Sequence, residues 1–202
     1  MTTRVLIAFY SRGGVTEALA KAIAEGAVAE GAEVRLRRAR EFVGEEVMKQ
    51  APGWLKSAKR MNALYEAPTE ADAEWADAIV FGTPTRFGSM TAELKAYIDS
   101  LGGLWFQGKL IGKAGSAFAS TSTLHGGNEM TITALYAPMA HLGLILVPTG
   151  YADPVLFRAG TPYGASSVSG TNSAPPSADD LEVARFQGKR VTRVAAALKT
   201  AR

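Results

Sequence analysis

The sequence predicts an α/β protein built on a doubly wound, five-stranded parallel sheet flanked by helices on both faces. Three observations predict it. Short apolar runs alternate with stretches of helical periodicity, the runs at residues 5–9 and 78–82 are apolar throughout, and such runs end in loops rich in Gly, Ser, Thr and Pro. Strands that alternate with helices pair in parallel through right-handed crossovers.

The elements follow in order. Residues 5–9 (VLIAF) read as a strand buried on both faces, and Val15, Leu19, Ala22, Ile23 and Gly26 then recur at helical spacing. Residues 33–37 alternate as an edge strand with one wet face. Residues 41–76 are polar and carry Pro52, Pro68 and Trp54; about 36 residues are too many for a plain connector, so helix is expected inside them. Residues 77–82 form the next buried strand, and Leu94, Tyr97, Ile98 and Leu101 mark an amphipathic helix. Residues 114–119 form a strand of small side chains suited to close packing beneath a helix. A third helix carries Ile132, Leu135, Tyr136 and Met139, and residues 144–147 are the fifth strand. An irregular stretch of about 25 residues follows. Ser177 and Asp180 have the spacing of a capping box that opens a last helix, with Val191, Val194, Ala195 and Leu198 on its inner face. The expected organisation is one domain over residues 1–202 with irregular insertions at about 41–76 and 150–176.

Composition narrows the chemistry. The 202 residues contain no cysteine, which excludes disulfides, thiol catalysis and Cys-ligated metal. No His/Asp/Glu cluster has metal-ligand spacing, so no metal is expected. No run is long enough to span a bilayer and no signal-peptide pattern precedes the first strand, so a soluble cytoplasmic protein is expected. The 22 basic and 19 acidic residues nearly balance, which does not favour nucleic acid. Arg35, Arg37, Arg38 and Arg40 form the one dense basic patch and read as a solvated surface; near a redox site they would also attract an anionic dinucleotide.

Ligands of such sheets bind at the carboxyl ends of the strands, where three loops should meet. The first, Ser11-Arg12-Gly13-Gly14-Val15-Thr16, offers two hydroxyls, Gly-exposed backbone N–H groups and the positive end of a helix. That is a phosphate cradle, although a plain glycine turn has the same composition. It lacks both the Walker A and the G-x-G-x-x-G patterns. The second loop, residues 83–88 (TPTRFG), has a Pro-fixed backbone and an aromatic, a rim for the edge of a planar heterocycle. The third, residues 120–127 (STSTLHGG), supplies hydroxyls, His125 and two glycines for close approach to a ligand. His141, near the end of the third helix, reads on its own as a structural residue.

The segments at residues 81–88, 102–105 (GGLW), 160–165 (GTPYGA) and 181–188 (LEVARFQG) resemble the WrbA family of FMN-dependent NAD(P)H:quinone oxidoreductases, which are flavodoxin-like. The resemblance implies a homotetramer whose sites are completed by neighbouring subunits, FMN as cofactor, NADH or NADPH as electron donor and a quinone as substrate reduced by ping-pong exchange. It implies that Ser11, Arg12, Gly13, Gly14, Val15 and Thr16 bind the FMN phosphate, and that Thr83, Pro84, Thr85, Arg86 and Phe87 line the isoalloxazine. Ser120, Thr121, Ser122, Thr123, Leu124, His125 and Gly126 would grip the ring edge and ribityl chain. His141 corresponds to a histidine beside the pyrimidine end of the flavin and Trp105 to a tryptophan walling the substrate site, and by the same resemblance Tyr151 would border that cavity. Gly13 departs from the family, which often has an aromatic there for the nicotinamide. A one-electron carrier and an FMN-binding scaffold without turnover are the alternative readings.

Overall fold

The computed structural model describes residues 2–200. The chain runs β1 (Arg4–Phe9), α1 (Val15–Ala29), β2 (Glu33–Arg38), α2 (Glu45–Met48), α3 (Trp54–Leu64), α4 (Glu70–Trp75) and β3 (Ala78–Pro84). It continues through α5 (Ala92–Ser100), α6 (Gly102–Phe106), β4 (Ala114–Thr121), α7 (Asn128–His141), β5 (Ile145–Leu146), β6 (Ser166–Val168) and α8 (Ala178–Thr200). The sheet is parallel with strand order β2-β1-β3-β4-β5, and β6 also pairs with β4. The expected α/β class is therefore present. After β2 the chain crosses to the other side of β1, so the order reverses between β1 and β3, where a crevice opens at the strand ends.

Alternation along the buried strands divides the core in two. Val5, Ile7, Phe9 and Val80 face α1 and α8, whereas Leu6, Ala8, Ile79 and Phe81 pack with Leu94, Ile98, Leu135 and Met139. The small residues of β4 do what their size suggests: a Cβ on Gly115 would lie 2.8 Å from the Met139 side chain of α7. On the opposite face α1 and α8 touch backbone to backbone. A Cβ on Gly26 would meet the Arg185 carbonyl at 2.0 Å, and one on Gly188 the Ile23 carbonyl at 2.0 Å.

The last strand position departs from expectation. Only Ile145 and Leu146 of residues 144–147 form β5, paired with Ala114 and Gly115. The stretch expected to be irregular contains a short 3-10 helix, Pro154–Phe157, and a sixth strand, β6, paired with residues 119–121 of β4. One edge strand is thus made in two pieces, and a loop leaves the sheet between them. Gln187 of α8 fills the break: its Nε2 donates to the Ser116 hydroxyl (2.7 Å) and the Ala117 carbonyl (2.8 Å), and its Oε1 accepts from the Ala165 N–H (2.9 Å). The Ser-Ser-Val of β6 is too short to show a period, and its backbone partner lies far away in sequence. The 41–76 segment does hold helices, α2 to α4, and the Ser177–Asp180 capping box forms at the start of α8.

Candidate functional site

The first loop is shaped for an anion. Gly14 caps α1 in a left-handed conformation, φ 104°, and no side chain bonds to the first turn. The first-turn N–H groups of a helix have no acceptor inside it, so those of α1 are presented at the crevice. The Ser11 hydroxyl accepts from the Gly14 N–H (3.1 Å), which folds the loop back, and the Thr16 and Ser120 hydroxyls hydrogen-bond at 2.8 Å, joining the first loop to the third. Beneath the loop lies Arg38, fully buried, which donates to the Ser11 carbonyl (2.9 Å) and Asn62 (2.6 Å) and pairs with Glu41.

That burial corrects the surface reading of the basic patch. Arg35 and Arg37 both pair with Asp72, at 3.0 and 3.1 Å, and Arg35 also stacks on Trp75. Arg40 donates to Asn62 and the Tyr65 carbonyl, both at 2.6 Å. Their partners come from residues 41–76, beyond the reach of local pattern. Arg38 is thus an internal brace for the loop, and the other three arginines are partly buried against residues 62–75.

Glu17 ties α3 to α1. Burial pushes its carboxyl up, but hydrogen bonds from Arg60, Tyr65 and Lys21 outweigh that and lower it from the ordinary 4.5 to about 2. Tyr65 also packs edge-on against Phe9 at the end of β1.

In the second loop, Thr131 donates to the Thr85 hydroxyl (2.8 Å) and that hydroxyl accepts from the Gly88 N–H (3.2 Å). Thr83 points inward, donating to the Pro84 carbonyl and accepting from the Thr91 N–H. Phe87 stands fully exposed at φ 53°, a conformation costly for a non-glycine and held by reciprocal backbone bonds between Arg86 and Ser89.

The three loops enclose a cavity of about 650 Å³. Ser11, Arg12, Gly13, Val15, Thr16, Pro84, Thr85, Arg86, Ser120, Thr121 and Ser122 line it, as the sequence predicts. Sequence reasoning missed two further walls: residues 51–54 with Ser57, and Ser169 with residues 171–173. The Arg12 guanidinium lies 3.9 Å from the centroid of the Trp54 ring, a cation–π contact that fixes this cation over the cavity wall. Trp54 in a polar stretch was the available signal for the first wall; Ser/Thr/Asn enrichment was the one for the second. The second wall stands against Gly13, whose Cβ position is 3.6 Å from the Ser173 hydroxyl. The lining holds two arginines and no carboxylate. Hydroxyls, N–H groups and two cations suit a phosphate monoester, and the mixed walls suit a polar-edged planar ring.

Other predicted residues lie outside this lining. Gly14 shapes the first loop from behind; Thr83, Phe87, Thr123, Leu124, His125 and Gly126 form the surrounding loops without lining the cavity. Tyr151 is exposed and stacks on Phe157 with ring centroids 5.3 Å apart. Trp105 and His141 do come together, in a separate hollow of about 480 Å³ with Ile98 and Pro138. That hollow lies toward the other end of the sheet: His141 closes α7 just before the Gly112–Gly143 bond that leads into the start of β4. Within one chain neither residue reaches the cavity. Among the described residues no group of three or more His, Asp or Glu is placed to hold a metal ion, and no helix is long and apolar enough to cross a membrane.

Comparison with known proteins places this geometry. A model of the NADPH-dependent FMN reductase family matches residues 1–153. Among solved structures, a flavodoxin, WrbA-like protein from Agrobacterium tumefaciens is 26% identical, with 97% of this chain and 99% of that chain covered and a TM-score of 0.67. A flavodoxin from the domain Archaea shares the fold at 17% identity and a TM-score of 0.62, covering 96% of this chain and 99% of its own. The flavodiiron protein from Giardia intestinalis does so at 18% identity and 0.63, over 98% of this chain and 37% of that one.

Proposed function

The chain belongs to the NADPH-dependent FMN reductase family, a flavoprotein family that uses FMN with NAD(P)H as electron donor, and from that premise we propose that it is a quinone reductase of the WrbA type. The net reaction is NAD(P)H + H⁺ + quinone → NAD(P)⁺ + hydroquinone, run as two half-reactions in one shared site. The observation that carries this reading is the cavity at the strand ends, with Arg12 and Arg86 and no carboxylate in its lining.

Bound FMN supplies the two-electron relay between nicotinamide and quinone. The residues divide the remaining work. Ser11, Thr16 and the first-turn N–H groups of α1 hold the phosphate, and Arg12, fixed on Trp54, adds its charge. Pro84, Thr85 and Arg86 line the ring, with Ser120, Thr121 and Ser122 along the polar edge. The Thr16–Ser120 bond keeps phosphate and ring loops in one register, which preorganises the site before substrate arrives.

In this reading Trp105 and His141 serve a neighbouring subunit of a homotetramer. Their remoteness from the cavity of their own chain supports it, as does the exposure of the adjacent Trp105 (54%) and Phe106 (85%) beside their separate hollow. Trp105 would wall the quinone by offset stacking. His141 would donate a hydrogen bond to the pyrimidine end of the flavin, where negative charge accumulates on reduction. Tyr151 would border the substrate space.

Steady-state kinetics with NADPH and a benzoquinone test the shared site. Parallel double-reciprocal lines are expected; intersecting lines mean that both substrates bind together and contradict it.

A further inference from the structure

A second hollow, of about 510 Å³, opens beside the strand-end cavity and shares Ala51, Pro52 and Gly53 with it. It lies beyond the three phosphate and ring loops, on the segment that carries α2 and α3. Its floor is apolar, from buried Met48 with Pro52 and Leu55, and its rim carries Lys49, Lys56 and Lys59. Lys49 pairs with Glu46 (2.6 Å) and Lys59 with Glu45 (2.9 Å), but all four side chains are more than half exposed. Exposed pairs of this kind hold their partners weakly and give way to a more highly charged anion. Among the described residues Lys56 has no carboxylate in salt-bridge contact, and no carboxylate lines the hollow itself.

We propose that this hollow binds the 2′-phosphoadenosine end of NADPH, the purine on the Met48–Pro52–Leu55 floor and the 2′-phosphate among the three lysines. The assignment rests on the proposed turnover with a reduced nicotinamide, which places the other end of the same molecule in the adjoining cavity. The two hollows adjoin at Ala51, Pro52 and Gly53, so the two ends of one dinucleotide would lie on either side of this turn. An apolar plane bordered by flexible point charges matches a base bearing a phosphomonoester, and it gives NADPH a contact that NADH cannot make.

The test uses the FMN-loaded full chain and the variant Lys56→Glu. The ratio of kcat/KM for NADPH to that for NADH should fall by about tenfold, the scale of one lost charge-assisted contact. Independently, isothermal calorimetry should show 2′,5′-ADP binding more tightly than 5′-ADP, with that preference lost in the variant. Calorimetry reads the subsite even where neither nicotinamide turns over, so failure of the quinone-reductase reading and failure of this one are distinguished. An unchanged NADPH-to-NADH ratio, or equal binding of the two adenosine phosphates to the unaltered protein, overturns the assignment.

Discussion

At the scale of single residues, the first strand-end loop depends on buried charges that never touch the cavity. Arg38 is the clearest case. It sits fully buried against Glu41 and gives one N–H to the Ser11 carbonyl, so the hydroxyl that shapes the cradle is held from behind. Glu17 acts in the same way from α1, receiving Arg60 and the Tyr65 hydroxyl, both at 2.9 Å. Its folded-state value of about 2 lies below the ordinary 4.5. Ionised Glu17 therefore favours folding above pH 4.5, and the benefit drains away as the pH falls from there toward 2. A shift of this size is worth about 3 kcal/mol, reduced to about 2 because Arg60 is half exposed and screened. Glu17→Gln should then lower urea-unfolding stability by about 2 kcal/mol at pH 7 and by clearly less at pH 3. A deficit that stays constant over that range would assign Glu17 a packing role only.

At the scale of elements, the α1–α8 crossing shows how two glycines far apart in sequence fix one contact. Alanine in the middle of a helix normally gains about 1 kcal/mol over glycine. At Gly188 the added methyl would lie 2.0 Å from the Ile23 carbonyl, so the helices must separate, at a cost of about 1–3 kcal/mol or more. Gly188→Ala should accordingly lower the melting temperature by several degrees, readable by circular dichroism; a rise would mean the helices are not in backbone contact. The same crossing marks what the sequence could show. Helix α8 was legible from its capping box and apolar face, but the partner of Gly188 was not, because packing between distant segments leaves no local period. The split edge strand was hidden for a related reason. Three residues of β6 cannot display alternation, and Gln187, which bridges the break, reads in sequence as one more polar helix residue.

At the scale of the whole molecule, topology gathers the site. The order reversal between β1 and β3 opens the crevice, and the loops after β1, β3 and β4 close on it from three sides. Those loops were visible in sequence through their Gly, Ser, Thr and Pro content, and eleven of their predicted residues line the cavity. The wall from residues 51–54 and Ser57 was missed, because it belongs to the turn before α3 and the start of that helix, whose placement is set by the distant Glu17 and Arg38. Trp105 and His141 lie at the far end of the fold, in the hollow beside α6 and α7. Their proposed roles require neighbouring copies, whereas the three strand-end loops meet within one chain. The central claim, that this cavity holds FMN and passes two electrons from a reduced nicotinamide to a quinone, is tested most directly by anaerobic titration of the FMN-loaded protein. NADPH should bleach the flavin absorbance completely, and one equivalent of benzoquinone should restore it. Absorbance that NADPH leaves unchanged, or reduced flavin that benzoquinone does not reoxidise, would contradict the account.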